Sequence, residues 1–123
     1  MRVVQFEGEE VPIHGSALTY GLYEREFTRH IEGKLVRGDI IRDVQLIESE
    51  SQLTLMLRIF WALARTAKTG PFPDFESWVL AHDEALADMS DSELWTAVIG
   101  EARRAFFRKA PAGETEQTGR DEV

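Results

Sequence analysis

The sequence predicts a mainly α fold: a small helical domain with a short N-terminal β-hairpin and a disordered C-terminal tail. Three observations predict it. Apolar residues recur at helical spacing over 53–64 and again over 94–106. Alternating or β-branched stretches at 2–6 and 11–13 flank Glu7-Gly8-Glu9-Glu10. From Ala110 to Val123 there is no aromatic residue and one terminal valine, too little apolar surface to offset the entropy of ordering. A chain of 123 residues has room for one core, so residues 1–109 are expected to form a single domain and 110–123 an acidic tail.

The elements follow in order. Arg2–Phe6 and Val11–Ile13 should pair as a hairpin over about residues 2–13, with Glu-Gly supplying the reversal. Such a hairpin is marginal alone, and an open edge would accept a strand from another subunit. Ser16 should cap a helix running to about Thr28, with Leu18 and Leu22 on one face and Tyr23 and Phe27 on an adjoining one. Gly21 costs that helix about 1 kcal/mol relative to alanine unless close packing needs the bare backbone. Gly33 and Gly38 bracket a link, Lys34–Arg37. Asp39 should then cap a short helix whose stripe is Ile40, Val44 and Ile47.

Residues 49–68 form the strongest expected helix. Leu53, Leu55, Met56, Leu57, Ile59, Phe60, Trp61 and Leu63 cover nearly its whole circumference, so it lies in the core or is partly covered from outside. Gly70-Pro71-Phe72-Pro73 ends it. Asp74 should cap a further helix with Phe75, Trp78, Val79 and His82 on one side. Ser90 and Glu93 make a capping-box pattern for a last helix to about Lys109, from whose apolar stripe Phe107 falls away.

Charge and composition restrict the function classes. With 22 acidic against 14 basic residues the formal charge is −8, which repels phosphate backbones, so no nucleic-acid partner is expected. Arg103, Arg104, Arg108 and Lys109 read as cations near a helix C-terminus. The absence of cysteine excludes disulfides and thiolate metal sites. The first ten residues are charged too early for a signal peptide, and Leu53–Ala64 is about eight residues too short to cross a bilayer. A cytoplasmic protein with no membrane partner is expected.

No catalytic constellation is visible in the spacing. His14, His30 and His82 form no metal-ligand pattern, and His82-Asp83-Glu84 point in different directions from adjacent helical positions. The glycines make neither a dinucleotide-binding nor a Walker loop. Glu9/Glu10, Glu24/Glu26 and Asp121/Glu122 read as solvated charge. The expectation is a protein that is not an enzyme and has no catalytic residue, metal or cofactor.

Phe60-Trp61-Ala62-Leu63-Ala64-Arg65-Thr66-Ala67 followed by Pro73-Asp74-Phe75-Glu76-Ser77-Trp78 resembles the tail assembly chaperones of long-tailed bacteriophages and prophages. Glu93-Leu94-Trp95-Thr96-Ala97-Val98-Ile99 and Ala105-Phe106-Phe107 are similar to that family's late helix. Gly8-Glu9-Glu10-Val11-Pro12-Ile13 resembles its hairpin, and Leu22-Tyr23-Glu24-Arg25-Glu26-Phe27 its first helix, with Thr28 where the family has glycine. The resemblance covers about residues 1–109. It implies a chaperone that binds and solubilises the tape measure protein during tail tube assembly, with the tail tube protein and self-association as further partner expectations. It also implies residence in the host cytoplasm and absence from the mature virion.

Aromatic anchors would supply such binding: Trp61, Phe72, Phe75, Trp78, Trp95 and Phe107 are the candidates, each with a core role as the competing reading. Two other protein-binding roles compete with the chaperone: a structural tail or head-tail connector protein, and a small regulatory module.

Overall fold

The computed structural model describes residues 1–49, 52–68, 70–88 and 92–107. Within them lie six helices and two small antiparallel hairpins. Strand β1 is Arg2–Phe6 and β2 is Glu9–Ile13, with Phe6 opposite Glu9 and Val3 opposite Pro12. Glu7 and Gly8 both have positive φ, 55° and 77°, so they make the two-residue type I′ turn whose twist matches the strands. The pair flanking such a turn is hydrogen-bonded and pairs alternate from there. Pro12 therefore falls where its missing N–H would face the outer edge, at no cost to the ladder. Two residues on, the His14 amide donates to Leu63 O at 3.1 Å and closes that edge against a helix.

Helix α1 is Ala17–Phe27, with the capping box at Ser16: its hydroxyl accepts the Leu18 amide, and Thr19 Oγ1 accepts the Ser16 amide. Leu22, Tyr23 and Phe27 point inward, but Leu18 is 57% exposed. Thr19 takes the inner position instead, its hydroxyl held 2.7 Å from that of Thr66. The expected link after α1 is a second hairpin, β3 (Arg29–Ile31) and β4 (Lys34–Val36), turned by Glu32 and Gly33 at φ 51° and 80°.

Helix α2 (Ile40–Ser49) starts at Asp39, whose Oδ1 accepts the Ile41 and Arg42 amides. Helix α3 (Leu53–Ala67) is the centre of the core, with Leu55, Met56 and the whole run Ile59–Ala64 buried. Asp74 caps α4 (Phe75–Ala81) by accepting the Ser77 amide at 2.9 Å. Its expected residues Phe75, Trp78 and Val79 lie on α4, and His82 is its C-cap. The backbone breaks at His82 (φ −123°, ψ 25°) and resumes as α5 (Asp83–Ala87). Helix α6 is Ser92–Phe106, with Leu94, Trp95, Val98 and Ala102 buried as their spacing predicts. The Ser90 cap, the end of the last helix at 108–109 and the expected disordered tail at 110–123 lie outside the described residues.

Candidate partner-binding surface

The six candidate anchors divide by burial. Trp61 is fully enclosed, and Trp78 and Trp95 are each 5% exposed. Trp78 and Trp95 share one edge-to-face ring cluster, in which Phe60 meets Phe6 and Trp78 at 5.2 Å and Trp95 at 5.8 Å, while Trp61 stands edge-on to Phe27 at 5.5 Å and to Phe75 at 6.4 Å. Trp61 Nε1 donates to Pro73 O at 3.0 Å, fastening the Pro-Phe-Pro turn to α3. These three tryptophans are core residues, and their expected place as surface anchors is corrected accordingly. Phe72, Phe75 and Phe107 are half-buried and pack against that core. Phe107 thus covers apolar surface rather than standing clear of the helix.

Helix α4 separates two recesses. Positions 75, 76, 79 and 80 share one face of a helix, while 78 and 82 lie on another. The first face, with Thr54 and Leu57 of α3, lines an apolar groove of about 440 Å³. Leu80 on its wall is 77% exposed, and nearby in the chain Leu53 at the start of α3 is 40% exposed. The α4 N-terminus is fixed against α1 because the Phe75 amide donates to Glu26 Oε2 at 2.9 Å. The Phe75 ring stands edge-on to Phe27 at 4.9 Å.

The second face closes a cleft of about 350 Å³ between the β1–β2 hairpin, the end of α3 and the Pro-Phe-Pro turn. Its floor is Phe6, Phe60 and Trp78. His82 leans on Phe6 at 5.4 Å and Trp78 at 5.7 Å, and its Nδ1 lies 2.7 Å from Glu7 Oε1. Glu7, Glu9 and Glu10 stand at the mouth, with Lys68 as the cation among the lining residues. The cleft is therefore aromatic below and acidic above.

A buried carboxylate absent from the candidates above braces α6 against the turn between β2 and α1. Glu101 of α6 is 3% exposed, accepts the Gly15 amide at 2.8 Å and takes Arg104 Nη2 at 2.7 Å. The same Arg104 nitrogen donates to Gly15 O at 2.9 Å. Burial opposes the Glu101 charge, but the Arg104 and Gly15 hydrogen bonds outweigh it and hold the carboxyl below its ordinary pKa. The i, i+3 spacing of Glu101 and Arg104 was the available signal. Gly15 has no room for a side chain, since a Cβ would lie 2.6 Å from that of Ala105.

Among the described residues, no group of three or more His, Asp or Glu side chains could hold a metal ion, and no helix is long and apolar enough to cross a membrane. Comparison of the chain with protein-family models, with curated proteins and with solved structures found no match.

Proposed function

We propose that this chain is a tail assembly chaperone of a long-tailed phage or prophage, one that binds and solubilises the tape measure protein while the tail tube assembles. The observation that carries the reading is the unpartnered apolar groove at Leu57, Phe75, Val79 and Leu80 on a strongly acidic chain. It has the composition a helix-in-groove contact needs, and a long unassembled client helix exposes matching side chains. Burying apolar surface there is worth about 25 cal/mol per Å², while net charge limits indiscriminate sticking. The sequence resemblance over Phe60–Ala67 and Pro73–Trp78 supports the same role and falls on the two helices that form the groove and on the turn between them. By this reading the protein acts in the host cytoplasm and is left out of the finished particle.

The test is co-expression with a phage tape measure protein as the client. The chaperone should move the client from the pellet to the soluble fraction and co-purify with it. A client whose solubility is the same with and without the chaperone ends the proposal. Recovery of this chain from purified virions would point instead to a structural tail component.

A further inference from the structure

We infer that the helix received by the Leu80 groove is basic as well as amphipathic, with lysine or arginine flanking its apolar stripe on the side that meets α4. The inference rests on the groove being a client-helix site, and it adds the chemistry of the client.

The floor sets the apolar part. Leu57 of α3 and Phe75 and Val79 of α4 are half-buried, and Leu80 stands 77% open on the wall. Helix α4 has seven residues, about 10 Å of length, so a partner lying along it is held over about two turns. Two turns present apolar residues at i, i+3, i+4 and i+7, and the residues beside that stripe come to lie over the groove rims.

The rims set the charge. Residues 74–88 carry Asp74, Glu76, Asp83, Glu84 and Asp88 and no lysine or arginine. Glu76 is the one that lines the groove. It is exposed, lies one turn from Leu80 on the same wall, and has no ion-pair partner among the described residues, where arginine pairs with Glu24, Asp43 and Glu101. The α3 side differs. Its two cations are each held over a ring, Arg58 over Phe27 at 4.8 Å and Arg65 over Trp61 at 5.3 Å, and neither lines the groove. Thr54 gives that side a neutral hydroxyl. A client carboxylate would therefore meet like charge along α4. An ammonium or guanidinium would meet Glu76 while its apolar stem lay on Leu80.

An exposed pair of this kind contributes up to about fivefold in affinity and is screened by salt. Exchanging attraction for repulsion widens the difference between a basic and an acidic client to about tenfold.

Fluorescence anisotropy of the full chain with two labelled peptides reads that difference. Both are stapled helices of about 14 residues with leucine at i, i+3, i+4 and i+7, one flanked by lysines and the other by glutamates. In low salt the lysine peptide should bind about tenfold tighter, and in about 1 M salt the gap should shrink to about twofold. Glu76→Gln should cut the preference about threefold and Glu76→Lys should abolish it. Glu10→Lys makes the same change in net charge on the hairpin, at the other recess, and should leave the preference within about twofold of wild type. Leu80→Ser should weaken both peptides about tenfold, since each loses the same apolar contact.

Equal binding, tighter binding of the glutamate peptide, a preference that survives Glu76→Lys, or binding unchanged by Leu80→Ser each overturns the inference. The first two leave the groove as a site for a client helix of other charge. Failure of both peptides to bind removes the groove from client binding and the inference with it. Circular dichroism of each variant separates lost binding from lost fold.

Discussion

The Tyr23 hydroxyl of α1 donates a 2.7 Å hydrogen bond to Asp43 Oδ2 of α2, and both side chains are essentially closed to solvent. Arg42 Nε takes the other carboxylate oxygen at 3.0 Å. A hydrogen bond to a buried charge contributes about 1.5–3 kcal/mol, so Tyr23→Phe should lower unfolding free energy by that amount in urea. A loss below about 0.5 kcal/mol would show that the bond does not hold α1 to α2.

The same pair sets an alkaline limit. Burial first, then the hydrogen bond and charge of Asp43, raises the Tyr23 phenol above the usual tyrosine range, against a smaller pull from Arg58 and Arg42. A raised folded value means the contribution is complete below the unfolded pKa of about 10 and is lost as pH climbs beyond it. Between pH 8 and about pH 11 the wild type should therefore lose more stability than Tyr23→Phe. Equal losses in thermal melts would remove the phenol from the account.

Glu101 gives the opposite sign. Its carboxyl is held below its ordinary value, so its stabilisation is present above the unfolded pKa of about 4.3 and disappears as pH falls through the folded one. Glu101→Gln keeps the shape but removes the charge that Arg104 and the Gly15 amide share. It should cost about 1–3 kcal/mol at pH 7, with the gap to wild type narrowing in acid. A gap unchanged from pH 7 to about pH 3 would falsify the role given to the carboxylate.

Two glycines should respond oppositely to alanine. At Gly38 the new Cβ would meet the Phe27 carbonyl carbon and Tyr23 O, each at 2.9 Å. Backbone cannot step aside as a flexible side chain can, so a loss of about 1–3 kcal/mol is expected. At Gly21, inside α1, a Cβ meets nothing within 4 Å. Close packing does not require that glycine, and Gly21→Ala should stabilise by about 0.5–1 kcal/mol. Paired chemical melts check both signs.

What could be read from the sequence was local. Ser16, Asp39 and Asp74 cap their helices through amides two or three residues away, and such contacts are written in spacing. The apolar circumference of α3 likewise forced it into the core. The second hairpin escaped because three-residue strands are too short to show alternation, although Glu32-Gly33 repeats the signal of Glu7-Gly8. The break at His82 falls where its side chain meets Glu7, 75 positions earlier, a contact no window of sequence contains. The surface was half legible for the same reason. Aromatic content identified Phe72 and Phe75, but the enclosure of Trp61, Trp78 and Trp95 depends on rings brought together from β1, α1, α3, α4 and α6.

That enclosure separates binding from folding in the last prediction. Leu80 is 77% exposed on the groove wall, so Leu80→Asp removes no core contact and should change stability by less than about 0.5 kcal/mol. If the groove holds an apolar client helix, the aspartate leaves a leucine-sized patch unmatched and puts a charge against it. Burying a leucine is worth about 1.5–3 kcal/mol, which corresponds to at least a tenfold weaker complex. Trp95→Ala is the converse case: it should cost about 3–5 kcal/mol of stability and weaken capture only through loss of fold. Pull-down of the client by each variant, read beside its melting curve, distinguishes the two. Full capture by a folded Leu80→Asp chain would take the groove out of client binding and leave the acidic cleft as the surface to test.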